Sequence, residues 1–141
     1  MPEQQRPDRY RAALAERARA ELVAGEGIVA MLPFATVPKR PKGPEGKVRV
    51  GVRQSWRRYR PTVLTDRRLL VFDSGRTPSP RDLLEAYPVE AVHLVEVIPP
   101  GTFGQVRLVL DLPGLGPVPF DTGRKERDDV EAFARVLGPP A

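Results

Sequence analysis

The stretch from Tyr59 to Asp73, YRPTVLTDRRLLVFD, constrains the fold more than any other part of the chain. Two apolar pieces, Val63-Leu64 and Leu69 to Phe72, flank the polar tetrad Thr65-Asp66-Arg67-Arg68. Strand, short polar turn and strand form a hairpin signal. Asp66 can close the turn by hydrogen-bonding its own backbone, and no glycine is present to favour the tightest two-residue type.

The flanking segments supply partners for this hairpin. Ile28 to Val37 reads as a strand, with Pro33 best tolerated at an edge. Val48, Val50 and Val52 alternate with Arg49, Gly51 and Arg53, the period of an amphipathic strand. His93 to Ile98 and Phe103 to Leu112 read as further strands. Pro113 to Pro117 reads as a hairpin loop before the short strand Val118 to Phe120. Ser74 to Arg81 reads as a turn-rich connection, and Leu83 to Tyr87 is too short to assign. Two helices flank the strands. The first runs from Pro7-Asp8 to about Ala24, with Asp8 as N-cap, Gly25 as C-terminal cap and Tyr10, Leu14, Ala18 and Leu22 on one narrow face. The second runs from about Lys125 to Leu137, capped by Asp121 or Thr122, with Val130, Phe133, Ala134 and Leu137 as its apolar stripe. The expected fold is mainly β with two flanking helices: an antiparallel β-sandwich or barrel with an open end that the last helix can plug.

At 141 residues the chain is long enough for one domain with a core of its own. Without cysteine, disulfides and thiolate metal sites are excluded, and a single histidine puts the usual zinc constellations out of reach. The expectation is no metal and no cofactor. The longest apolar run falls far short of the ~20 residues that span a bilayer, and no secretory signal is evident. The expected location is cytoplasmic, with peripheral placement at the inner face of the membrane as an extension of that reading.

Charge is uneven. Residues 39–70 carry eleven basic groups against two acidic ones, whereas the whole chain nets +5. Such asymmetry can steer anionic partners. Part of the arginine content has the look of a GC-rich genome's codon usage, so the distribution is more informative than the total.

Several segments together resemble the bacterial pleckstrin-homology-like domains, relatives of the GRAM domains. They are Leu22-Val23-Ala24-Gly25-Glu26 ahead of a strand, Val63 to Leu70 at the hairpin, Tyr87 to Val92 before another strand, and the closing helix with Phe133. The likeness runs from about Leu22 to Leu137, and the hairpin carries most of it. It implies a bent, seven-stranded sandwich capped by a C-terminal helix, acting as a non-catalytic scaffold for lipid, peptide or protein partners. Residues 1–24 would then be a tail and helix, and residues 25–138 the PH-like domain, with a basic Pro/Gly-rich loop at 38–47. The segment from Pro38 to Trp56 is longer and more basic than the compact hairpin this family leads one to expect.

The resemblance also implies a phosphate-binding pattern of a lysine near the end of the first strand and a basic-x-basic pair on the second. Lys39 followed by Lys47-Val48-Arg49 matches that spacing. The candidate anionic-ligand residues are Lys39, Arg40, Lys42, Lys47, Arg49, Arg53, Arg57 and Arg58, against the plain alternative of a solvated loop. Trp56 and Tyr59 interleaved with arginines could stack and neutralise a nucleic-acid backbone, or could be packing residues with cation–π contacts. No base-reading motif supports the former. His93 has no nucleophile at suggestive spacing and reads as structural or exposed. The carboxylates Glu90, Glu96, Asp128 and Asp129 read as solvated. Gly101 to Gly104 and Gly114 to Gly116 lack a phosphate loop's Gly-Lys-Ser/Thr and read as turns. No catalytic residue emerges. The favoured partner is another protein, then an anionic membrane lipid, then nucleic acid.

Overall fold

In the computed structural model, which describes residues 5–38, 57–99 and 105–138, helix α1 (Gln5–Arg19) precedes nine strand segments and helix α2 (Arg127–Leu137). The strand segments are β1 (Ile28–Leu32), β2 (Thr36–Pro38), β3 (Arg57–Tyr59), β4 (Thr62–Thr65) and β5 (Arg68–Ser74), then β6 (Pro80–Pro88), β7 (His93–Ile98), β8 (Gln105–Leu112) and β9 (Gly116–Gly123). They form two antiparallel sheets, ordered β1-β4-β5-β6 and β3-β2-β9-β8-β7.

Two pairs of segments are halves of bent strands that pass from one sheet to the other. The expected single strand from Ile28 to Val37 breaks at Pro33, where the chain turns and Ala35 N–H donates to the Leu32 carbonyl at 3.3 Å. Proline supplies no ladder donor, so pairing stops there and resumes in the second sheet. Arg60-Pro61 makes the same crossing between β3 and β4. Counted as bent strands, the nine segments are seven, the number the family resemblance implies. The sheets have free edges and do not close, so the architecture is an open sandwich and the barrel alternative is corrected.

The hairpin at the centre is present as expected, with Leu64 opposite Leu69 across the Asp66-Arg67 turn. Its closing chemistry differs from expectation. Thr65 Oγ1, rather than Asp66, accepts from the amides of Arg67 and Arg68 at 3.1 and 2.8 Å. Asp66 instead reaches outward, accepting from Gly27 N–H at 2.9 Å.

Both faces of this hairpin are buried, which explains four successive apolar residues in β5. Leu69 and Val71 enter the core between the sheets with Leu108, Leu110, Phe120 and, from α2, Phe133. Leu70 and Phe72 face the other way, into a second cluster with Val63, Met31 and the α1 residues Leu14 and Ala18. A strand buried on both sides shows a continuous run rather than alternation. Each fully buried Leu or Phe contributes roughly 1.5–3 kcal/mol.

Of the stripe foreseen on α1, Leu14 and Ala18 are inaccessible, Tyr10 is half-buried, and Leu22, beyond the helix's end, packs at the cluster's margin. The helix is displaced from its expected bounds. It starts at Gln5, which places Asp8 inside it rather than at the cap, and ends at Arg19, six residues before Gly25. Gly25 serves the following turn with φ of +82°. At the other end, Asp121 and Thr122 are buried within β9 and do not cap α2, whose N-cap position is Glu126. Segment β6 escaped sequence reading because it is an edge strand with mostly exposed residues, so its apolar positions carry little periodicity.

Candidate functional site

Pro38 and Arg57 are paired opposite one another where β2 meets β3, and among the described residues β3 is the outermost strand of the five-stranded sheet. The segment 39–56 therefore leaves and rejoins the fold at a single place. Of the candidate residues, Lys39, Arg40, Lys42, Lys47, Arg49 and Arg53 lie outside the described residues, as do the strand expected over Val48–Arg53 and Trp56. Arg57 and Arg58 lie in β3, and the Arg58 side chain is exposed.

Residues 39–56 hold six basic groups and one acidic group, a net of +5. The whole chain also nets +5, so the rest of the molecule is electrically balanced. Several arginines on the framework are paired with carboxylates. Arg107 meets Asp121 at 2.7 Å, Arg11 meets Asp129 at 2.6 Å, and Arg17 meets Glu21 at 2.8 Å.

Beside the root of this basic segment the two sheets part to leave an apolar pocket of about 240 Å³. Val37 and Arg60 stand on its wall nearest the segment. Tyr87 and Leu84 come from β6, Leu112 and Leu115 from the end of β8 and its turn, and Phe120 from β9. Leu84 and Leu115 are among the few large apolar side chains left exposed, at 45% and 47%. Arg60 is the pocket's cation. Its side chain is 15% exposed, and Nη1 donates to the Tyr59 carbonyl at 3.0 Å and to Asp73 Oδ1 at 3.1 Å. Burial lowers the affinity of its guanidinium for a proton, Asp73 opposes that effect, and the positive charge of Arg58 adds to it. Burial, with the Glu85 carboxylate adding, holds the Tyr87 hydroxyl above the usual phenol range.

A second group of charges is structural. The Glu26 side chain is inaccessible and receives Arg68 Nη2 at 2.7 Å and Nε at 3.0 Å, the Thr65 hydroxyl at 2.6 Å and the Val23 amide at 3.1 Å. The Arg68 fork, opposed by burial and aided by Thr65 and Val23, holds the Glu26 carboxyl down at about 2. This node locks the turn before β1 to the hairpin turn. Glu126, in the short 3-10 turn between β9 and α2, is buried, and neither of its oxygens has a hydrogen bond among the described residues.

His93 is exposed at the start of β7, and Glu90 and Glu96 are exposed. Asp129 is engaged by Arg11 and by the Met31 amide, a structural role rather than the solvated one expected. Among the described residues no group of three or more His, Cys, Asp or Glu side chains is placed to hold a metal ion. No helix there is long and apolar enough to cross a membrane.

Sequence reasoning missed the pocket because six separate segments build it, Val71 of β5 among them. The one local signal was Leu115, an apolar residue at the tip of a Pro-Gly-Leu-Gly-Pro turn where a polar residue is the norm. No family model matches the chain, and no curated protein matches it. Among solved structures, the chain is similar to a pleckstrin homology domain from Shewanella amazonensis SB2B, at 21% identity and a TM-score of 0.49, with 89% of this chain and 96% of that one covered.

Proposed function

We propose that the chain is a non-enzymatic, PH-like binding module, spanning residues 25–138 behind an N-terminal helix, that engages an anionic surface through its basic segment 39–60. One observation carries this reading: the net charge of the molecule equals that of residues 39–56, whose flanking residues Pro38 and Arg57 pair at a sheet edge. Clustered cations on a balanced framework favour contact with an anionic partner in one orientation. An anionic membrane or an acidic protein face both meet that description.

Cosedimentation with vesicles of phosphatidylcholine, with and without phosphatidylserine, tests the reading. Each Lys or Arg near an anionic bilayer contributes ~1 kcal/mol. Changing Lys39, Lys47 and Arg49 together to Gln is expected to weaken phosphatidylserine-dependent binding at least tenfold, and raised salt is expected to weaken the native chain. Equal binding by both proteins would refute a role for the segment at membranes. A native-lysate pull-down comparing the two proteins then asks whether an acidic protein depends on the same cations.

A further inference from the structure

The pocket between the sheets is a binding site in its own right, and the geometry points to a single-chain anionic amphiphile as its ligand, with the alkyl tail between the sheets and the carboxylate at Arg60. The inference deepens the anionic-surface reading, because the pocket adjoins the root of the basic segment.

Three observations support it. The walls are largely apolar and come from both sheets, so a tail inserted there is covered by both sheets and keeps its outer side toward solvent, rather than lying on a flat face. The volume suits a tail and not a ring system. About 240 Å³ is below the ~300–1,000 Å³ of sites for drug-sized molecules. The third observation is the cation. Both described contacts of Arg60 use Nη1, so among the described residues Nε and Nη2 have capacity for a bound carboxylate. A guanidinium fork withdrawn from water pairs a carboxylate more strongly than an exposed one does. Arg58 adds positive potential beside it. Glu85, exposed on the same rim, opposes an anion and provides an internal check.

Decanoate is the probe, with binding followed by calorimetry on the full chain. A saturable one-to-one site is expected. Across hexanoate, octanoate and decanoate each added methylene should tighten binding about fourfold until the pocket is full, since one buried methylene is worth ~0.8 kcal/mol. Val118→Phe, which fills the pocket from β9, should abolish binding. Arg60→Met should weaken it at least tenfold, Glu85→Gln should tighten it, and decyltrimethylammonium should not compete. Thermal melts establish that each variant is folded. If Arg60→Met does not fold, the Val118→Phe result decides alone.

Absence of decanoate binding, or undiminished binding by Val118→Phe, overturns the proposal. So does loss of decanoate binding in the triple variant at Lys39, Lys47 and Arg49, which would place the ligand on the segment instead. Decanoate binding that survives in a triple variant blind to phosphatidylserine supports both sites as separate. Decanoate binding with no vesicle binding by the native chain supports the pocket and refutes only the membrane role of the segment. Vesicle binding without decanoate binding overturns the pocket alone.

Discussion

Replacing Glu26 with alanine is expected to lower the unfolding free energy by about 3 kcal/mol, measured by urea unfolding at pH 7. The carboxylate is inaccessible and holds both ends of a guanidinium fork, a hydroxyl and a backbone amide. Removing one member of a buried pair typically costs ~3–5 kcal/mol, because the other is left without its partner. Arg68 keeps a quarter of its side chain in water and a second acceptor at the Glu21 carbonyl, which places the expected loss at the low end. Arg68→Met should cost at least as much, since it strands the less accessible partner. The double variant should cost less than the sum of the two, the mark of a direct coupling. The pH dependence follows from a carboxyl held down at about 2 against an ordinary value of 4.5. Its contribution is fully present above pH 4.5, declines below that value and is lost as pH falls through 2. Glu26→Gln should therefore flatten the acid limb of the stability curve. A loss below 1 kcal/mol at pH 7, or an unchanged acid limb, would remove Glu26 from the framework's essential contacts.

That node shows where sequence reading stops. The hairpin from Tyr59 to Asp73 was legible because its strands and turn are local, and its apolar run had to be a buried strand whichever sheet it joined. The stripe Leu14-Ala18 on α1 was legible for the same reason, since helical spacing is a local property. The pairing of Glu26 with Arg68, 42 positions away, was not. An acid just after a glycine and an arginine in a turn each look solvated until the fold brings them together. The same limit hid the pocket, whose cation Arg60 sits between two aromatic or cyclic neighbours in a stretch already crowded with arginines. Sequence pointed instead to the loudest charge signal, and the fold gives that signal a definite point of attachment at the β2–β3 edge.

Glu126→Gln is expected to stabilise the protein at pH 8, by about 2 kcal/mol, and to leave it nearly unchanged at pH 4. Glu126 is 5% exposed, and neither of its oxygens nor Thr122 Oγ1 has a hydrogen bond among the described residues. Burial pushes its carboxyl up from 4.5 to about 7, and the Asp129 charge adds to that push. The nearby Thr122 hydroxyl, Phe34 amide and Arg11 guanidinium offset it only in part. In the folded chain the neutral acid is favoured, whereas in the unfolded chain the group ionises near 4.5. Stability from the protonated group is thus fully present below pH 4.5 and is lost as pH rises through 7. A tenfold change in proton affinity corresponds to ~1.4 kcal/mol, so the loss has a ceiling of about 3 kcal/mol. A neutral amide avoids the ionisation but still buries polar atoms, which is why the expected gain is smaller. The check is urea unfolding of both proteins between pH 4 and 8: the native chain should lose stability across that window relative to Glu126→Gln. A constant difference between the two curves would mean that Glu126 is ionised throughout, held by a partner stronger than Thr122, Phe34 and Arg11 together. The two carboxyls thus act on opposite sides of pH 4.5. Glu26 ties the hairpin to the first strand above it, and ionisation of Glu126 at the junction of β9 and α2 costs stability as pH rises from 4.5 through 7.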